Sequence, residues 1–144
     1  MSDPRGSVWR KWDLHIHTPY SFHWGEAAGI RKLPQEERDK ILDRLIEKIV
    51  QCDVAAFGVM DYWTFDGWFA LKHRLSEEGA PKLTKKVFPG IELRLSAPTE
   101  KRLNAHVIFS DDVANQHLKD FLANLKIERI DRSVSKDALV DLAR

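Results

Sequence analysis

The chain has 144 residues, which is the length of one ordinary domain, and its 23 Lys+Arg and 22 Asp+Glu leave a formal charge of +1. This balance excludes a nucleic-acid binder that depends on bulk positive charge. With 43% hydrophobic and 31% charged residues, the composition is that of a globular protein. The absence of long apolar runs, of an apolar signal core and of any cysteine besides Cys52 predicts a cytoplasmic protein without membrane spans, disulfides or a CxxC zinc site.

Short apolar strands alternate with amphipathic helices along the chain. Strands are predicted over residues 12–17, 54–60, 86–95 and 105–110, and helices over residues 34–52, 64–78, 113–125 and 135–144. This order predicts an α/β fold of parallel strands joined by crossover helices. We interpret residues 1–144 as a single domain.

Polar side chains fall at the ends of the predicted strands. His15 and His17 end the first strand, Asp61 follows the second, Glu92 lies in the third and His106 opens the fourth. Functional groups of parallel α/β barrels gather at the C-terminal ends of the strands. We therefore expect these side chains to converge.

His15 and His17 alternate with Ile16, so both imidazoles point to the face that also bears Asp13 and can hold one divalent ion. Each feature also has a simpler explanation. The two histidines can be ordinary surface residues and Glu92 an exposed strand position. His23 can be a loop histidine, and His106 can be a hydrogen-bonded core histidine. Asp61 can be a helix cap, and Arg94 can be a surface cation.

Four segments together resemble the PHP family, the polymerase and histidinol phosphatase domain. Residues 13–18 read Asp-Leu-His-Ile-His-Thr, as in the opening motif of the family. The next three motifs follow in family order. They are matched by residues 57–62 with the downstream Gly67, by Pro-Gly-Ile-Glu at 89–92 and by His-Val-Ile at 106–108. The resemblance implies part of a distorted (β/α)7 TIM-like barrel with a site for two or three metal ions.

The resemblance also implies the ligands. His15 and His17 would hold the first metal, Glu92 would bridge to the second, His106 would hold the second, and His23 matches a third-metal position. Histidine-rich ligation favours Zn, Mn or Fe. Tyr62 stands where the family usually has a histidine, and a phenol with a pKa near 10 is a poor ligand at neutral pH.

The expected activity is metal-dependent hydrolysis of phosphoesters by a metal-bound hydroxide. The catalytic candidates are Asp13, which would orient a ligand histidine, Asp61 beside the ligands and Arg94 on a substrate phosphate. Nucleic acid and a small phosphomonoester are the candidate substrates. The alternative is a degenerate, non-catalytic PHP module with a structural role.

The final family motifs, a middle His or Cys ligand and an Asp-x-His, are missing from these 144 residues, so we expect the N-terminal portion of a longer protein. The Asp-Tyr-Trp-Thr segment at 61–64 and the residues before Asp13 resemble the TrlF group, in which a PHP domain precedes an SMC-like or AAA-type ATPase linked to DNA repair or defence. A half-barrel exposes sheet edges. We therefore expect self-association, or contact with an ATPase region or another chain.

Overall fold

The computed structural model describes residues 9–21, 27–95, 103–127 and 132–133. Six strands and three α-helices are formed there: β1 Trp12–Ile16, α1 Gln35–Gln51, β2 Ala56–Tyr62, α2 Asp66–Leu75, β3 Lys86–Leu95, β4 Leu103–Ile108, α3 Asn115–Asn124, β5 Lys126–Ile127 and β6 Arg132–Ser133. A short 3-10 helix over Ala27–Lys32 precedes α1.

The main sheet is four-stranded in the order β1-β2-β3-β4, and it curls into half of a barrel. β1, β2 and β3 are parallel neighbours, joined through α1 and α2. The prediction of an α/β fold is therefore confirmed, and the sheet is mostly parallel. The described residues form a half-barrel of four strands and not a closed TIM-like barrel.

β4 corrects the prediction that all strands are parallel, because it runs antiparallel to β3. Only seven residues, 96–102, separate the end of β3 from the start of β4. A parallel return needs a crossover of a dozen or more residues, whereas an antiparallel return needs only a short connection. The length of this connection therefore decides the direction of β4.

The hydrophobic core lies between the sheet and the helices. Its buried residues come from α1, β2, α2, β3 and α3: Ile46, Ile49, Phe57, Val59, Phe65, Trp68, Leu71, Val87, Ile91, Leu93 and Leu118. Leu42, Ile46 and Ile49 form the buried stripe of α1 at helical spacing. Side chains alternate along a strand, so Glu92 and Arg94 of β3 point to the face opposite this core.

Several predicted boundaries shift by a few residues. β2 extends through Tyr62, so Asp61 lies inside the strand rather than after it. The predicted helix over 135–144 and His23 lie outside the described residues. β5 and β6 pair as a separate two-stranded sheet that the sequence analysis did not anticipate. Within the described ranges, no helix has both the length and the apolar character needed to cross a membrane.

Candidate metal centre

The candidate ligands meet on the face of the sheet opposite the helices. Glu92 is the partner of Tyr62 in the β2–β3 ladder and of His106 in the β3–β4 ladder. His15 lies near the C-terminal end of β1, and the ladder with β2 shifts register between Asp13 and Ile16. Three strands thus bring residues that are up to 91 positions apart in the sequence to one point.

The two carboxylate oxygens of Glu92 have different partners. Oε2 lies 3.0 Å from His15 Nε2 and 3.7 Å from His17 Nε2. Oε1 lies 3.8 Å from His106 Nε2 and accepts a hydrogen bond of 2.7 Å from Asn104 Nδ2. Both oxygens of one carboxylate are therefore surrounded by imidazoles, with His15 and His17 nearer to Oε2 and His106 nearer to Oε1.

Glu92 is a buried acid, since its side chain is only 1% exposed, and its desolvation is energetically unfavourable. A buried carboxylate without partners is strongly destabilising, so such groups are paired, hydrogen-bonded or bound to metal. The neighbouring imidazoles and Asn104 provide this compensation. The interpretation of Glu92 as an exposed strand position is therefore wrong.

His15 and His106 leave the centre open to solvent, with side chains 45% and 38% exposed. Their ring centroids are 4.3 Å apart, and those of His15 and His17 are 5.1 Å apart. One donor atom from each of His15, Glu92 and His106 lies within 4.8 Å of the others. Two ligands bound to one ion at about 2.0–2.2 Å are themselves about 3–3.5 Å apart, so small side-chain movements suffice for coordination.

His17 is held by a second polar network at the end of β1. Its Nδ1 lies 3.2 Å from Ser21 Oγ and 4.0 Å from Asp61 Oδ1. Such contacts on the second ring nitrogen orient a metal-binding imidazole and increase its basicity. His17 therefore presents Nε2 to Glu92 in a fixed orientation.

Asp61 is fully buried, and both of its oxygens accept hydrogen bonds from Thr18. The Thr18 main-chain N–H donates at 2.7 Å and the hydroxyl at 2.6 Å. Desolvation raises the pKa of Asp61 to about 7, and the hydrogen bonds from Thr18 oppose this rise. Since Asp61 has no access to solvent, it positions Thr18 and His17 and does not touch a substrate.

Gly67 in the first turn of α2 allows this arrangement. A Cβ atom at Gly67 would overlap the Thr18 hydroxyl and a carboxylate oxygen of Asp61. The absence of a side chain lets the start of α2 lie directly against the buried pair. Gly67 therefore has a steric role in supporting the centre.

Tyr62 and Arg94 extend the centre on the same face of the sheet. The Tyr62 ring stacks on His17 with a centroid distance of 5.1 Å and an interplanar angle of 15°. The Arg94 guanidinium carbon lies 5.6 Å from the centre of the Tyr62 ring, within the range of a cation–π contact. No described carboxylate forms an ion pair with Arg94, so its charge is available beside the imidazoles.

The backbone is strained where β2 ends. Trp63 has a φ of 57°, a left-handed conformation that is rare for a bulky side chain. Its N–H donates to the main-chain oxygen of Glu92 at 3.3 Å. Strained residues of this kind are concentrated at functional sites. The unusual turn thus ties the end of β2 to the central glutamate.

The structure brings together five of the proposed site residues: Glu92, the three imidazoles of His15, His17 and His106 around it, and Asp61 beside His17. Asp13 is exposed, and its Oδ1 accepts a hydrogen bond of 3.2 Å from the main-chain N–H of His15, not from an imidazole. Asn104 was missed by the sequence analysis. Its position two residues before His106 on the same strand face was the available indication.

We compared the chain with protein-family models, with curated proteins and with solved structures, and none of the three comparisons gave a match. The geometry of the described residues is therefore the basis for the function proposed below.

Proposed function

We propose that this chain is a PHP-type, metal-dependent phosphoester hydrolase. The observation that supports it is the convergence of three imidazoles on both oxygens of one buried glutamate. The half-barrel and the order of the four sequence motifs agree with this proposal. Nitrogen-rich ligation with one carboxylate suits Zn, Mn or Fe.

In this proposal His15, His17, Glu92 and His106 would hold two divalent ions. His15 and His17 lie nearer to Oε2 of Glu92, and His106 lies nearer to Oε1. When bound, such ions lower the pKa of water and neutralise the charge of a phosphate. Asp61 and Ser21 hold His17 in orientation, and Asn104 holds Oε1 of Glu92.

The reaction is hydrolysis, in which a water oxygen forms a bond to phosphorus, the ester P–O bond breaks and the leaving oxygen takes a proton. Arg94 binds a non-bridging phosphate oxygen, since its guanidinium lies beside the imidazoles and forms no ion pair with a described carboxylate. Nucleic acid and a small phosphomonoester are the candidate substrates. We also propose that this domain is attached to an ATPase region.

The second candidate is a PHP-type module without turnover. Two observations favour it. Asn104 donates a hydrogen bond to Oε1 of Glu92, and Tyr62 places an aromatic ring next to His17 at a position where a further metal ligand would be needed. In that case the same residues stabilise the fold or contact a partner.

Metal titration and hydrolysis of two model substrates test the proposal. Protein freed of metal is titrated calorimetrically with Mn²⁺ and Zn²⁺, and hydrolysis of p-nitrophenyl phosphate and its bis-ester is then measured. Glu92→Gln should abolish both binding and turnover, because it removes the bridging charge. Glu78→Gln, an exposed acid on the loop after α2, is the matched control and should leave both unchanged.

The outcomes separate the two candidates. Metal binding with turnover that requires Glu92 supports the hydrolase. Metal binding without turnover of either ester supports the inert module. Failure of the wild-type chain to bind either ion overturns the metal centre itself.

A further inference from the structure

A second feature lies at the opposite end of the sheet from the metal centre. Two open cavities of about 400 and 550 Å³ border the N-terminal ends of β1, β2 and β3. Both are lined by Thr84 and Lys85, so they are neighbours on the surface, and we call the two together the basal groove. Lys86 in this groove is six strand residues from Glu92, or about 20 Å.

The basal groove is strongly positive. Its lining holds five cations and two carboxylates, which leave a net charge of +3, whereas the whole chain has only +1. Positive charge is therefore concentrated at this end of the molecule although the total is nearly balanced. A local excess of this kind attracts polyanions.

Three of the cations have no acidic partner among the described residues. The two carboxylates, Asp53 and Asp111, pair with Lys11 and Lys86. The remaining cations of the groove, Arg10, Lys72 and Lys85, form no ion pair with a carboxylate in the part of the chain that the structure describes, and Lys85 Nζ donates to the carbonyl of Cys52 at 3.1 Å. These three charges are available to bind phosphate oxygens.

Two tryptophans lie at opposite ends of the groove. Trp9 is 99% exposed, and such a large apolar side chain in water is typical of interaction sites. Trp68 lines the other end and is 6% exposed, and its buried indole N–H has no hydrogen-bond partner among the described residues. Trp9 is therefore the aromatic ring that a ligand in the groove can reach.

We propose that the basal groove binds single-stranded nucleic acid. Arg10, Lys72 and Lys85 contact successive phosphates, and Trp9 stacks on an exposed base. A positive groove with aromatic side chains is the arrangement by which proteins hold single strands, whose bases are free to stack. In a duplex the bases are already stacked on one another, so Trp9 would find no partner. This surface is separate from the metal centre, and the inference does not depend on phosphoester hydrolysis.

Fluorescence anisotropy with a labelled oligothymidylate of about 12 nucleotides tests the inference on the full chain. EDTA in the buffer keeps the metal centre empty. Lys72→Glu and Trp9→Ala should each weaken binding by about tenfold. Arg44→Glu makes the same charge change on an exposed position of α1 outside the groove and should change affinity by less than about twofold. Lys72→Glu should also lower the salt slope by about 0.7.

Several results would overturn the inference. These are absence of binding at about 50 mM salt, equal weakening by Arg44→Glu and Lys72→Glu, and unchanged affinity of Trp9→Ala. Equal affinity for a duplex, or for thymidine monophosphate, would show a phosphate site without recognition of single strands. His15→Ala should bind the oligonucleotide as the wild type does, and a loss there would place the ligand at the metal centre instead. Thermal melting confirms that each variant is folded.

Discussion

Replacement of Asp61 by asparagine should remove a pH-dependent loss of folding stability that the buried Asp61 carboxylate causes. Burial raises the pKa of Asp61 from 3.8 to about 7. Between these values the unfolded chain has lost the proton and the folded chain keeps it, so stability falls as the pH rises through this window. The total cost above pH 7 is about 4 kcal/mol, at 1.36 kcal/mol for each pKa unit.

Asp61→Asn keeps an acceptor for the Thr18 N–H and removes the titration. Urea unfolding of metal-free protein should therefore show the variant gaining about 3 kcal/mol relative to the wild type between pH 5 and pH 8. The change of the polar group itself adds a constant difference at both pH values. The pH dependence of the difference thus isolates Asp61.

Asp112→Asn is the matched control, because Asp112 is exposed. Its stability difference from the wild type should be the same at pH 5 and pH 8. If Asp61→Asn also gives a constant difference, the two hydrogen bonds from Thr18 keep Asp61 ionised and the desolvation argument is refuted.

Three further changes test other parts of the structure. Gly67→Ala should destabilise the protein by about 1–3 kcal/mol in urea unfolding, because the methyl group overlaps Thr18 and Asp61; wild-type stability would contradict this. Arg94→Ala should raise KM for a phosphoester about tenfold without weakening Mn²⁺ binding, with partial rescue by Arg94→Lys. The isolated chain should self-associate in analytical ultracentrifugation through Leu103 of β4, which is 52% exposed, and Leu103→Lys should give a monomer.

The local elements of this protein could be read from its sequence. The helix predicted over 34–52 is observed as Gln35–Gln51, and the third strand has the predicted bounds, Lys86–Leu95. The buried stripe of α1 has a clear period of 3.6 residues, and β3 is rich in apolar residues typical of strands. Periodicity reports which face is buried, and this information is local.

The C-terminal limit of β2 was harder to predict. An apolar run followed by an aspartate predicts that the strand ends before Asp61, yet Asp61 is buried inside β2. The carboxylate is tolerated because Thr18, 43 residues earlier, donates two hydrogen bonds to it. A partner so distant in the sequence gives no local signal.

The sequence by itself determined the candidate ligands, because imidazole and carboxylate groups at successive strand ends are visible in its order of residues. Only the tertiary structure decided how they are used. The curl of the sheet places His15 and His17 at one oxygen of Glu92 and His106 at the other, and it adds Asn104 and Gly67 as supports. Distances between side chains depend on the pairing of strands, and pairing is a property of the whole fold.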